Sequence, residues 1–387
     1  MKFRYLALLI GVSLIMLSCS STNLGTATGT GILFYTTQGD SSVWSYQVAL
    51  GSGSLTQIGV QLSTGSFPNA IAFTPSFNAL FVLNQASNSI SAYGLDSSGN
   101  LTETTSTATT GKMPTAMTID PAGQFLYVAN QASNDVSVFS INGTALTAVK
   151  GSPFTTIPPG TTAPTGPSGI AVSATGNFLY VSNNFNGTLA AFSIKSGALT
   201  LLGQSPYTVG TAPVGLEIVP GGAFLYVANQ GSNDVSAFAI CDKVVTSCAN
   251  ANSPDGTLTS LGLPFTLGTG AGPVAIAADP AFHFLYVLDK GSNQISEFSY
   301  GTGSGTLSPL SPAVVSTGVS PSSLVVISGT SGTNVGFTTT NPTDFVYVTN
   351  LGSSTISAFT LATSSGQLSP LGTPTVVTNN PSALAAN

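Results

Sequence analysis

Phe125-Leu126-Tyr127-Val128-Ala129-Asn130-Gln131, followed by Ser133-Asn134-Asp135-Val136-Ser137-Val138-Phe139, decides the fold because versions of it recur along the chain. Anchored on the strand aromatic, the copies fall at Tyr35, Phe81, Tyr127, Tyr180, Tyr226, Tyr286 and Tyr347, separated by 46, 46, 53, 46, 60 and 61 residues. Seven copies of short strand signals at this period, punctuated by Gly, Pro and Asn, predict an all-β, seven-bladed β-propeller with one four-stranded blade per copy. In the third copy, a proline-led strand at 114–119 is followed by a turn at 120–123 and a second strand at 125–129. A third strand at 136–141 and a weaker one from about Leu146 complete the unit. Segments rich in Val, Ile, Phe and Tyr suit strands buried between neighbouring sheets.

The ends of the repeat array are complementary. The first unit begins at Ile32, already on a second strand, whereas the last proline-led segment, Pro381-Ser382-Ala383-Leu384-Ala385, finishes the chain. The C-terminal segment is therefore expected to supply the innermost strand of the N-terminal blade, which closes the ring and leaves no free edge there. The propeller then spans 31–387.

Ahead of it, Lys2 and Arg4 precede an apolar run from Leu6 to Leu17 that ends at Ser18-Cys19-Ser20. Twelve apolar residues are too few to span a bilayer, which takes about 20. Residues 1–19 read as an export signal of the lipoprotein type with Cys19 as the lipidated residue, and 20–30 read as a flexible Ser/Thr/Gly tether. Ordinary secretion is the alternative. The expected place is the cell envelope, in the outer membrane or periplasm, or outside the cell if Cys19 is not lipidated. Cys241 and Cys248, close together in a long connection, read as a disulfide in an exported chain. Closing so short a loop contributes about 2 kcal/mol in the chain-entropy model.

Charged residues make up 5% of the chain, against about 25% in ordinary soluble domains. Beyond residue 19 there is no arginine, and the five lysines face 13 acidic residues for a net charge of −8. That balance excludes nucleic acid as a partner and disfavours polyanionic ligands. It leaves a neutral glycan, a lactone or a partner protein, bound by a monomer.

At the level of these repeats the chain resembles the lactonase-like seven-bladed propellers, which include bacterial 6-phosphogluconolactonases and surface proteins with Tyr-Val-Thr-Asn repeats. The residues that carry the resemblance are Tyr127-Val128-Ala129-Asn130, Tyr180-Val181-Ser182-Asn183, Tyr226-Val227-Ala228-Asn229 and Tyr347-Val348-Thr349-Asn350. The resemblance implies hydrolysis of a sugar lactone. Because a phosphorylated substrate calls for cationic side chains, the substrate expected here is unphosphorylated.

Strand order places the second-to-third turns and the loops leading into each proline-led strand on one face. That face carries Asn84, Asn130, Asn183, Asn229, Asp289 and Asn350, with a second row at Asn88, Asn134, Asn186, Asn233 and Asn293. Asparagine is common in turns for its left-handed tolerance and its bonds to nearby backbone. The functional reading makes the ring, with Asp135, Asp234, Asp289 and the neighbouring Lys290, a ligand site for sugar hydroxyls, or for calcium, which takes 6–8 oxygens. No dedicated metal site or required cofactor is expected. Glu217 aligns with Ala72, Thr118, Ala171, Ala277, Val325 and Ala385 on the innermost strands, so a carboxylate stands where the other copies are mostly small or apolar. It is either the general base of a hydrolase or an internal hydrogen-bonding group. His283 reads as an exposed turn residue at the opposite end. The long connections 241–255 and 329–343 also fall at that end.

Overall fold

The computed structural model describes residues 4–10, 13–19, 30–244, 248, 253–280, 283–327 and 344–387. From Thr30 onward they form seven antiparallel sheets set around a central channel, and no helix occurs among the described residues. Blade 3 runs outward as Pro114–Ile119, Phe125–Asn130, Asp135–Asn142 and an outer strand in two pieces, Ala145–Ala148 and Phe154–Thr155. The outer strand is likewise split in blades 4, 5 and 7, and Pro153, Pro206, Pro264 and Pro374 stand directly before the second pieces. Proline lacks the N–H that a ladder needs, which favours a break there, although blade 6 keeps Leu307–Ser316 as one strand with Pro309 and Pro312 inside it and a register shift between Ser296 and Phe298 on its partner. Blades 1 and 2 have no proline in this stretch and keep continuous outer strands, Ser54–Ser63 and Leu101–Thr109.

The ring closes as the terminal register demands. Pro381–Ala386 pairs antiparallel with Thr30–Thr37, setting Leu33 opposite Ala386 and Tyr35 opposite Leu384. In five of the seven blades the residue after the leading proline adds a second fastening: Asn69, Thr115, Ser168, Ser322 and Ser382 donate to the carbonyls of Pro114, Pro167, Pro213, Pro381 and Pro68 of the next blade. Upstream, Arg4–Ile10 and Ser13–Cys19 pair as a hairpin against the innermost strands, with Leu9 opposite Leu384. Of the tether read at 20–30, residues 20–29 lie outside the described residues, as does the insertion at 329–343, and Thr30 already belongs to the strand Thr30–Thr37. Cys241 and Cys248 form the expected disulfide, with Cα atoms 4.5 Å apart.

The repeated Phe-x-Tyr of the second strand is explained by the seams between blades. In blades 4 to 7 the tyrosine hydroxyl donates to a glycine carbonyl in the outer hairpin of the following blade: Tyr180 to Gly256, Tyr226 to Gly305, Tyr286 to Gly366 and Tyr347 to Gly53, at 3.1, 2.7, 2.6 and 2.7 Å. The same glycines lie under the phenylalanine two residues earlier. A Cβ on Gly366 would meet the Phe284 ring at 2.2 Å, and its φ of +75° already disfavours any side chain. Tyr286→Phe should therefore cost about 1 kcal/mol of stability, while Tyr127→Phe, which removes a hydroxyl buried without a partner, should leave stability unchanged or raise it. Chemical denaturation of the two variants beside the parent checks the contrast.

Candidate functional site

The predicted loop face exists, and its two loop sets touch. The residue after each second strand donates its N–H to the carbonyl just before the leading proline of its own blade, as in Gln131 to Met113 and Lys290 to Gly272. The asparagine ring belongs to this hairpin architecture. Asn130 Nδ2 donates to Asp135 Oδ1 at 2.7 Å and to Ser137 at 2.9 Å, and Asn229 does the same to Asp234 and Ser236 at 2.6 and 2.9 Å. Asn84 reaches Ser91, Asn183 reaches Thr188, and Asn350 reaches Ser357. These donors are turned inward to their own third strands. The second row fastens blades together: Oδ1 of Asn88, Asn134, Asn233 and Asn293 accepts from the backbone N–H of Met113, Gly166, Gly272 and Ser320 on the following blade. Asn186 instead accepts from Thr188 of its own hairpin.

Asp289 is the exception in the inner row. It is buried, Ser296 donates to its Oδ2 at 2.6 Å, and Oδ1 has no partner. Burial pushes its carboxyl up to about 7. Lys290 beside it is half-buried, and Lys112 is exposed. Asp135, Asp234 and Asp289 sit on blades 3, 5 and 6, and among the described residues no group of three His, Cys, Asp or Glu is arranged to hold a metal ion.

Glu217 lies at the seam of blades 5 and 6, opposite Tyr226 on the neighbouring strand and 1% exposed. Its Oε1 accepts from the Ala278 N–H of blade 6 at 3.2 Å, Oε2 has no partner, and burial raises its carboxyl well above the ordinary range. Glu297, not singled out from the sequence, repeats the arrangement one blade on. It faces Tyr286, its Oε2 accepts from Leu368 N–H of blade 7 at 3.3 Å, and burial lifts it to about 7. Aligning third strands would have found it, since Val138, Ala191, Ala237 and Ala358 hold that position in other blades. His283 is exposed, as expected, with its ring edge-on to Tyr300 at 5.6 Å.

Beside exposed polar residues such as Lys112, Ser66 and Ser87, the loop face presents apolar groups. Phe67 and Met113, each directly before a leading proline, are 45% and 46% exposed, and Phe185 and Val319 join them around the face. Phe67 and Met113 hold φ of +58° and +53°, a conformation that bulky residues adopt rarely and at a cost. Beside Phe67 a groove of about 360 Å³ runs between blades 1 and 2, lined by Ser63, Ser66, Ser87, Ser89, Tyr93 and Glu103 among others.

The model of the family described as lactonase, 7-bladed β-propeller, matches residues 26–108, 88–152 and 145–247. The chain belongs to this lactonase propeller family. No curated protein matches it. Among solved structures, the Pseudomonas aeruginosa periplasmic gluconolactonase is similar at 21% identity and a TM-score of 0.71, over 92% of this chain and 99% of that one. A putative 6-phosphogluconolactonase from Bacteroides fragilis is similar at 17% identity and 0.73, over 94% and 99%. A protein from Lactobacillus plantarum is similar at 20% identity and 0.72, over 92% and 99%. At these identities the likeness to solved structures speaks for the fold, and lactonase-family membership does not by itself assign an activity.

Proposed function

We propose that this lactonase-family propeller is exported, anchored through a lipid on Cys19, and binds a neutral glycan on its loop face. The observation that carries the reading is the hydroxyl-lined groove beside Phe67. Serine and tyrosine hydroxyls with one carboxylate suit sugar hydroxyls, and an exposed phenyl ring offers an apolar surface to the C–H face of a pyranose. A net charge of −8 beyond residue 19 fits a neutral ligand and no nucleic acid. The reading needs no cofactor and only a monomer. The leader ending at Cys19 supports export, as does the periplasmic gluconolactonase among similar folds. Cleavage ahead of Cys19 would withdraw most of the upstream hairpin from the channel.

Lactone hydrolysis is the second reading, favoured by family membership. It requires a base within reach of substrate or water, whereas Glu217 is enclosed at a seam and bonded to backbone. Retention on an array of neutral polysaccharides tests the first reading. The parent should be held by at least one glycan, and Phe67→Ala and Ser87→Trp should each weaken that retention about tenfold, roughly 1.4 kcal/mol. No retention on any glycan, or retention unchanged in both variants, would refute it.

A further inference from the structure

The seam between blades 3 and 4 breaks the rule followed by the next four. There the acceptor for the second-strand tyrosine is a glycine that ends a longer hairpin. Gly53, Gly305 and Gly366 donate to the carbonyl four residues earlier, and Gly256 donates across the disulfide loop to Cys241. Blade 4 has a tight turn instead, with Lys195 paired to Ala198 and Ser196 and Gly197 at φ of +49° and +79°. Gly197 still packs on Phe125, but Tyr127, 0% exposed, has no partner for its hydroxyl. Blade 3 has a similarly tight turn at Gly143 and Thr144, yet the blade before it carries Phe81 and has no hydroxyl to satisfy. Only at the 3/4 seam does a short hairpin meet a tyrosine.

Tyr127 also lines a cleft of about 280 Å³, at the end of the propeller opposite the loop face. Its polar lining comprises Tyr127, Asp120, Gln124, Thr175, Asn177 and Ser196. Asp120 Oδ1 is fixed by the N–H groups of Gln124 and Phe125 at 2.7 and 2.6 Å, which holds the carboxyl in place. Thr175 donates to Asp242 of blade 5. No lysine or arginine lines the cleft, so it offers nothing to neutralise an anion. Amides, hydroxyls and one carboxyl in a small cleft are the complement of a molecule dense in hydroxyls, and a buried hydroxyl without an acceptor is costly until a guest supplies one.

We propose that the cleft between blades 3 and 4 binds a neutral, hydroxyl-rich small molecule of monosaccharide size, which accepts a hydrogen bond from Tyr127 and donates to Asp120. This site is separate from the groove beside Phe67 and does not depend on it. Calorimetric titration with glucose, galactose, mannose and sorbitol, with gluconate as the anionic control, tests it. At least one neutral probe should bind saturably and more tightly than gluconate. Affinity should fall tenfold or more in Tyr127→Phe, which keeps the ring, and in Gln124→Trp, which fills the cleft. Tyr286→Phe, the same change at another seam, and Phe67→Ala should leave it unaltered. Absence of saturable binding by every neutral probe, or binding unchanged in both cleft variants, would overturn the proposal.

Discussion

Removal of residues 381–387 will abolish the cooperative unfolding of the propeller. Pro381–Ala386 is entirely buried and provides the innermost strand of blade 1, although more than 340 residues separate it from its partner Thr30–Thr37. Its loss strips the pairing from Thr30–Thr37, deletes the Ser382 bond to Pro68, and leaves Ser322 without its acceptor on Pro381. Blades 7, 1 and 2 would lose their shared packing at once. A ring has no edge only while it is closed, and the opened blade would present an apolar edge strand. The energy at stake is comparable with the whole stability of a typical domain, about 5–15 kcal/mol. Scanning calorimetry of the truncated chain should show no single transition. An unchanged midpoint would mean that the ring does not depend on its C-terminal strand.

Asp289→Asn should stabilise the protein at pH 8 and have little effect near pH 4. Burial holds the folded-state pKa of Asp289 at about 7, above the unfolded value of about 3.9. Below pH 4 the carboxyl is protonated in both states and the shift has no cost. Between pH 4 and 7 the folded chain binds more protons than the unfolded one, so stability falls as pH rises. Above pH 7 the full penalty applies, roughly 2–4 kcal/mol at 1.36 kcal/mol per pH unit. Asparagine at the corresponding place in blades 2, 3, 5 and 7 donates to the third-strand serine, and Ser296 can accept in the same way. Glu297, lifted to about 7 by burial, shares the pH window and sets the residual slope. Denaturant midpoints at the two pH values would decide the matter, and equal gains at both would contradict the titration argument.

Blade number, strand order, ring closure and the Cys241–Cys248 bridge are all local or register properties, and each was legible before the structure. Blade packing was not. The tyrosines of the repeat announce strands, but only the neighbouring glycines at 53, 256, 305 and 366 reveal them as seam donors, because those contacts join residues about 80 positions apart or nearly 300. Glu217 was visible as an anomaly in its column, yet its role depends on which blade it faces, and that follows from the alternation of Leu216 toward blade 4 and Glu217 with Tyr226 toward blade 6. The exposed Phe67 and Met113 were missed for another reason. Residues before proline ordinarily adopt extended conformations, and the signal for positive φ at these two lay only in other copies, where Gly166, Gly272 and Asn380 hold the same position.

The decisive measurement is hydrolysis of a panel of lactones, phosphorylated and unphosphorylated, by the protein and by Glu217→Gln, because in this lactonase-family propeller Glu217 and Glu297 bond across the seams to the backbone of the next blade. The Glu217→Gln side chain keeps an oxygen to accept from Ala278, so the variant should fold and match or exceed the parent in stability near neutral pH. Neither form should show turnover above buffer. Turnover by the parent that is lost in Glu217→Gln would contradict that, and would make this carboxyl the base of a lactonase.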